Sequence, residues 1–164
     1  MKTYTAKQIA EFFLALSCPE AGDNISNLKL QKLCYYAQAI IAVVRVEPSK
    51  PLFSESIEAW QHGPVVPDLY HEYKDYGNEG ISCDDLDFNI DDIEARDQAV
   101  LTDVFNHFGQ FSAWKLRDMT HEESPWLDAV RTPSKRITIE ALMECFSEDL
   151  DHDYVQRYQC NEKH

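Results

Sequence analysis

SNLKLQKLCYYAQAIIAVV, residues 26–44, determines the class of fold that this chain adopts. Ser26 or Asn27 is placed to cap a helix, because a short polar side chain there can accept a hydrogen bond from a backbone N–H of the first turn. Apolar residues then recur at helical spacing along one stripe, which consists of Leu30, Leu33, Ala37, Ile40, Ile41 and Val44. Since this helix is long and largely apolar, we predict that it lies at the centre of the domain.

Further helices are predicted on both sides of the central one. Thr5 and Gln8 form a capping box ahead of a first helix that ends near Pro19. Downstream, the apolar spacing predicts four more helices and one short turn, which begin at Pro67, near Ile93, after Ser112, at Ser124-Pro125 and after Thr138. The chain beyond Ser147 is polar and acidic, and it either frays or docks through Tyr154, Val155 and Tyr158.

Residues 57–70, IEAWQHGPVVPDLY, join a strand-like run to the start of a helix. We predict two short strands, Leu52–Phe53 and Ile57–Gln61, that pair as a hairpin. Gly63 tolerates backbone angles that other residues avoid, and Pro64 holds it in an extended or turn geometry. The predicted fold is therefore mainly α, a compact single-domain helical bundle with a small two-stranded β element.

Size and charge limit the classes of partner. The chain has 164 residues, of which 44% are hydrophobic, enough for one domain with a real core. Its 15 Lys and Arg residues are outnumbered by 29 Asp and Glu residues, giving a net charge of −14. This charge disfavours binding to nucleic acid despite the local group Arg131, Lys135 and Arg136, and it favours a basic partner.

Cysteine use and hydropathy indicate the compartment. The five cysteines are odd in number and contain no CxxC pair, so we expect free thiols in a reducing environment. No segment approaches the roughly 20 apolar residues of a membrane helix. The apolar residues near the N-terminus have amphipathic spacing, interrupted by Gln8 and Glu11, rather than the pattern of a signal peptide. We therefore expect a cytoplasmic protein without a membrane partner.

Three sequence patterns resemble the beginnings of metal sites. Asp85, Asp87 and Asn89 have the spacing of an EF-hand loop, but Ile90 and Arg96 stand where that loop needs Gly and Glu. Two histidine–glutamate pairs begin like HExxH and lack the second histidine; these are His71-Glu72, with Asp75 in its place, and His121-Glu122, with Pro125. We predict no metal site and no cofactor.

Two histidines are the candidates for acid–base chemistry. Folding could bring His62 and His121 together, with Glu122 or Glu123 orienting one of them. The chain has no GxSxG sequence, phosphate-binding loop or cysteine-nucleophile motif to accompany them. We therefore favour structural roles, in which His62 donates hydrogen bonds to the Gly-Pro turn and His121 caps or staples a loop. No catalytic residue is predicted, and we expect that the protein is not an enzyme.

Aromatic residues offer two interpretations. Trp60, Trp114 and Trp126, and tyrosines at helical spacing at positions 70, 73 and 76, are favoured as core residues. The alternative, for Trp60 and the three tyrosines, is a surface that binds a partner, since such side chains dominate interface hot spots.

An ordered series of segments resembles a known family. The series comprises Ile25–Gln38, Pro51–Phe53, Ile57–Trp60, His62–Val66, Leu69-Tyr70, Phe108-Gly109, Ser112-Ala113, Leu116, Thr120-His121 and Pro125-Trp126. Together these segments resemble the Panacea domain, the SocA-like antitoxin family that is also labelled as phage-associated GepA-type proteins. The resemblance covers residues 5–147 and leaves 148–164 as a polar, acidic C-terminal tail.

The resemblance implies an antitoxin that neutralises a cognate protein toxin, encoded by an adjacent gene, through direct contact. It leaves two alternatives: an adaptor that delivers the toxin to a protease, and an orphan phage-derived regulatory binding protein. It also implies that the shared motif residues preserve the fold; these are Lys29, Gln31, Lys32, Tyr35, Tyr36, Gln38, Trp60, His62, Gly63, Pro64, Val65, Tyr70, His121 and Trp126. Toxin contacts are then expected in less stereotyped segments, at Asp84, Asp85, Asp87, Asp91, Asp92, Tyr154 and Tyr158.

Overall fold

The computed structural model describes residues 1–17, 25–84 and 86–159. Within them the chain is mainly α-helical with a small antiparallel sheet, as predicted. The helices are α1 (Ala6–Ser17), α2 (Asn27–Arg45), α3 (Pro67–Tyr73), α4 (Ala95–Phe108), α5 (Ala113–Thr120), α6 (Ser124–Ala129), α7 (Ile139–Phe146) and α8 (His152–Gln159). The strands are β1 (Ile57–Trp60), β2 (Gly63–Val65) and β3 (Arg136–Ile137), and 3-10 turns lie at Lys74–Tyr76 and Ile90–Asp92.

Helix α2 is the centre of the bundle. It contacts α1, α3, α4, α5, α7, α8 and strand β2, so nearly its whole circumference is covered by other elements. This confirms the prediction from its apolar sequence. Because it is enclosed, its polar residues are buried too, and each must find a hydrogen-bond partner in a neighbouring element.

The helix starts follow the sequence closely. Ser26, rather than Asn27, caps α2 by accepting a hydrogen bond from the backbone N–H of Lys29. Thr5 and Gln8 form the expected capping box. Ser112 and Thr138 cap α5 and α7 in the same way as Ser26. Short polar side chains therefore satisfy backbone donors at four helix starts, as the sequence pattern predicts.

The sheet differs from the prediction. Its strand order is β2-β1-β3, and β1 pairs with β2 in a tight hairpin in which Trp60 lies opposite Gly63. The predicted strand Leu52–Phe53 is wrong as a hairpin partner. The side-chain amide of Gln38 binds this segment instead: it accepts from the Leu52 N–H at 2.9 Å and donates to the Phe53 carbonyl at 2.7 Å.

The C-terminal segment docks on the bundle. Helix α8 contacts α2, and Tyr154, Val155 and Tyr158 pack against the core. Asp151 caps this helix by accepting backbone hydrogen bonds from Asp153 and Tyr154. Of the two outcomes considered for this tail, docking is the one observed for residues 152–159.

The cysteines follow the prediction only in part. Cys34 and Cys145 are free, and Cys34 is fully buried. Cys83 is disulfide-bonded, so the expectation of five free thiols is wrong at this position. Cys18 and Cys160 lie outside the described residues. Among the residues that the structure describes, no helix is both long enough and apolar enough to cross a membrane.

Candidate functional site

Polar motif residues on α2 hold the segment that follows the hairpin. Gln31 accepts a hydrogen bond from the Val66 N–H at 2.9 Å and donates to the Asn27 side chain at 2.9 Å. Asn27 in turn donates to the Tyr70 carbonyl at 3.2 Å. These buried contacts fix the path from β2 into α3. They are the kind of contact that a fold-preserving role of Gln31 requires.

Lys32 lies directly beneath the hairpin and is 0% exposed. Its ammonium group donates to the Pro64 carbonyl at 3.2 Å. Burial lowers the pKa of Lys32 to about 7, and the nearby charge of Arg117 adds to this effect. Gly63 has a φ of +106°, and a Cβ added there would lie 2.6 Å from Cε of Lys32. Gly63 is therefore needed both for its backbone angle and for its lack of a side chain.

Glu123 joins the two adjacent tyrosines of α2. Its two carboxylate oxygens accept hydrogen bonds from the hydroxyls of Tyr35, at 3.0 Å, and Tyr36, at 2.9 Å. Burial raises the pKa of Glu123 to about 7, and the two tyrosine hydrogen bonds partly oppose that rise. Burial also raises the pKa of both tyrosines. The sequence pattern suggests Glu123 as a partner for histidine and does not predict this cluster.

The two candidate histidines lie in different environments. His62 is exposed, and its ring accepts a hydrogen bond from Arg117 at 3.3 Å instead of donating to the Gly-Pro turn as expected. The ring of His121 stacks on Trp126 with 3.9 Å between centroids. Burial, followed by the charge of Arg117, lowers the pKa of His121. The aromatic cavity beside the hairpin is lined by His62 and not by His121.

That cavity, of about 380 Å³, is lined in part by the rings of Trp60, His62, Tyr70 and Trp114. We call Trp60, His62, Tyr70, Trp114 and Arg117 the hairpin surface. Trp60 packs edge-on against Tyr70 at 5.2 Å, and His62 packs edge-on against Trp114 at 5.3 Å. The Arg117 guanidinium lies 5.5 Å from the Trp114 ring, close enough for a cation–π contact.

The expectation that the tryptophans and tyrosines are core residues is wrong at several positions. Trp114 is 58% exposed and Tyr70 is 37% exposed, and Tyr76 is exposed as well, whereas Tyr73 is buried. The sequence spacing in α5 is sufficient to predict that Trp114 is exposed. Leu116 is fully buried, and residues two apart on a helix do not share a face. Trp114 therefore points away from the core.

The remaining motif residues also link elements. Lys29 donates to the Gly109 carbonyl at 2.7 Å, and Trp126 donates to the Trp60 carbonyl at 2.8 Å. Pro64 and Val65 are buried in the hairpin. Their role in preserving the fold stays a prediction.

The residues predicted to bind a partner fall into two groups. Asp84, Asp87, Asp91 and Asp92 are exposed, and Asp85 lies outside the described residues. Tyr154 and Tyr158 are half-buried, and their hydroxyls donate to Asp103 at 3.0 and 3.3 Å. Partner binding by either group stays a prediction. In the described part of the chain, no cluster of three or more His, Cys, Asp or Glu side chains could hold a metal ion.

Comparisons with known proteins converge on one family. The family model described as antitoxin SocA-like, Panacea domain, matches residues 30–127, a stretch that includes most of α2, the hairpin surface and Glu123. The chain is also similar to Antitoxin SocA of Caulobacter vibrioides (strain NA1000 / CB15N), with 34% identity over 112 residues. That alignment covers 62% of this chain and 58% of the relative, so the chain spans somewhat more than half of the relative's length. No solved structure gives a significant match. The chain belongs to the antitoxin SocA-like, Panacea domain family.

Proposed function

We propose that this protein is an antitoxin that neutralises a cognate protein toxin by binding it directly. The observation that carries the proposal is the family match across residues 30–127, supported by the similarity to a protein named as an antitoxin. We further propose that residues 5–147 form the antitoxin domain, that the toxin is the product of an adjacent gene, and that the pair meets in the cytoplasm. A disulfide at Cys83 is unusual for the cytoplasm. Counting the free thiols of protein purified from the cytoplasm therefore tests the proposed compartment directly.

The hairpin surface is our candidate for the toxin contact. Trp114 and Tyr70 expose large aromatic rings beside a concave cavity, and Arg117 lies against Trp114. Trp, Tyr and Arg are the residue types that are enriched in interface hot spots. Tyr and Trp supply a large contact area at a low cost in conformational entropy. The exposed residues Asp84, Asp87, Asp91 and Asp92 would contribute by attracting a basic toxin from a distance.

Co-expression tests the proposal directly. The adjacent open reading frame is induced in cells alone and together with this chain, and growth is recorded. We expect toxicity that co-expression relieves. Growth that is never impaired, or impairment that this chain does not relieve, would contradict the antitoxin role.

A variant of Trp114 tests the proposed surface. Trp114→Ala should weaken toxin binding by more than about 2 kcal/mol, the range typical of a hot spot. Isothermal titration calorimetry measures the change in affinity. Val46→Ala is the matched control, because Val46 is also highly exposed and caps the C-terminus of α2. Val46 does not line the cavity of the hairpin surface. Equal affinities for the Trp114→Ala variant and the parent would place the toxin contact elsewhere.

The level of the toxin separates direct occlusion from delivery to a protease. If this chain occludes the toxin, the half-life of the toxin in cells stays the same or lengthens when both are expressed. A half-life that shortens only in cells with an intact protease would favour the adaptor alternative. A harmless adjacent gene product would favour an orphan phage-derived regulatory protein.

A further inference from the structure

A second cavity, of about 460 Å³, lies against α2, α4, α7 and the start of α8. Its walls are largely apolar and include the aromatic side chains of Tyr36, Phe108, Phe146 and Tyr154. Tyr36 and Phe108 stack with 3.9 Å between ring centroids and form one wall of the cavity. The volume is in the range of about 300–1,000 Å³ that is typical of small-ligand sites.

Acidic side chains are the commonest polar groups of this cavity. Glu123, Asp103, Asp149 and Asp151 line it together with His107, and no lysine or arginine is among its lining residues. Asp103 and Asp151 are engaged by hydroxyl or backbone donors, whereas Asp149 adds its negative charge to the environment of Glu123.

Glu123 differs from Asp97, a buried carboxyl group on α4. Asp97 is paired with Arg45 at 3.0 Å, with both side chains about 2% exposed. Among the described residues, the side chain of Glu123 accepts hydrogen bonds from the two neutral tyrosine hydroxyls, and the neighbouring charges that act on it, from Asp149 and Glu122, have its own sign. An opposite charge close to a carboxylate favours its ionised form, and a charge-assisted hydrogen bond between them is roughly twice as strong as a neutral one.

We propose that this cavity binds an organic cation, an ammonium or guanidinium group carried on an apolar body. The aromatic walls accept the apolar body and favour a nearby cation through their ring faces. The carboxyl groups in the lining supply the negative charge that attracts the cation. The cation is either a free amine or the lysine or arginine side chain of a partner protein, and the site is inferred independently of toxin binding.

Two matched probes test the chemistry of the site. Phenethylammonium chloride and 2-phenylethanol have almost the same shape and differ in charge. Each is titrated into the ¹⁵N-labelled full chain, and the amide shifts around the cavity are followed by NMR. We expect the amine to bind at least about tenfold more tightly than the alcohol. Equal binding of the two, or no binding of the amine, would overturn the proposal.

Charge variants test the location. Glu123→Gln keeps an acceptor for the tyrosines and should weaken amine binding by about tenfold, and Asp149→Asn, an exposed position on the cavity rim, serves if the first variant folds poorly. Asp75→Asn removes the same charge from an exposed site that does not line the cavity and should leave binding unchanged. If the Asp75 and Glu123 variants weakened binding equally, the effect would be one of net charge and the site would be wrong.

A third pair of probes identifies the source of the cation. A capped Gly-Lys-Gly peptide is compared with the same peptide carrying norleucine in place of lysine. Tighter binding of the lysine peptide than of phenethylammonium points to a partner's side chain, and the reverse points to a free amine.

Discussion

Burial shifts the pKa values of Lys32 and Glu123 in opposite directions, to nearly the same value. The pKa of Lys32 falls to about 7 and that of Glu123 rises to about 7. They do not neutralise each other, because Lys32 lies beneath the hairpin and Glu123 binds the tyrosines of α2. Each therefore carries its own cost of desolvation, and each makes stability depend on pH in a separate way.

Lys32→Met should change how stability varies above neutral pH. The pKa of Lys32 is lower in the folded state than in the unfolded state. The contribution of Lys32 to the free energy of unfolding is therefore fully present above its unfolded-state pKa and is lost as pH falls towards 7. The stability of the parent should thus rise from about pH 7 to about pH 9.5, by roughly 3 kcal/mol from this residue alone. The methionine variant should lack this increment. Urea unfolding at both pH values measures it, and Lys50→Met at an exposed position is the control.

Glu123→Gln should remove a dependence of the opposite sign at lower pH. The pKa of Glu123 is raised on folding, so the stability linked to its proton is present below about pH 4.5 and is lost as pH rises through about 7. Relative to the parent, the glutamine variant should gain up to about 3 kcal/mol over this window. A difference between the two proteins that stays constant with pH would show that Glu123 titrates normally.

The β1–β2 hairpin depends on one backbone position. Gly63 and Gly77 both have positive φ, at +106° and +58°, but a Cβ at Gly77 would meet nothing within 4 Å. A Cβ at Gly63 would meet Lys32 and Thr120 as well. We expect Gly77→Ala to cost about 1 kcal/mol from backbone strain and Gly63→Ala to cost about 2–4 kcal/mol, since strain and overpacking add. Urea unfolding of both variants measures the difference, and equal losses would mean that Lys32 yields without cost.

The elements that sequence could predict are those whose information is local. The caps at Ser26, Ser112 and Thr138, and the apolar stripe of α2, depend on neighbours within one or two turns. The prediction that Leu52–Phe53 pairs with β1 is wrong, because the Leu52 N–H and the Phe53 carbonyl bind the side chain of Gln38 on α2 instead. Along the chain, Glu123 is separated from Tyr35 by 88 residues and from Tyr36 by 87 residues. No local sequence pattern encodes such a contact.

At the scale of the whole molecule, negative charge is spread unevenly. The net charge is −14, and the exposed residues Asp84, Asp87, Asp91 and Asp92 concentrate part of it in the connection before α4. The cavity of the hairpin surface, by contrast, is lined by no Asp or Glu. This separation suits a division of roles, in which the acidic connection attracts a basic toxin and the hairpin surface supplies the short-range contacts that retain it.

Association kinetics test that division. If the acidic connection steers a basic toxin, the association rate should fall by about tenfold or more between about 0.05 and 0.5 M salt, because screening shortens the reach of exposed charges to a few ångströms. Changing the four described aspartates of the connection to asparagine should slow association at low salt and leave dissociation unchanged. Trp114→Ala should do the opposite and speed dissociation, since a buried aromatic contact acts after the encounter. Surface plasmon resonance with the toxin gives both rates. An association rate that is indifferent to salt and to the four aspartates would mean that the charge of this molecule has no part in finding its partner.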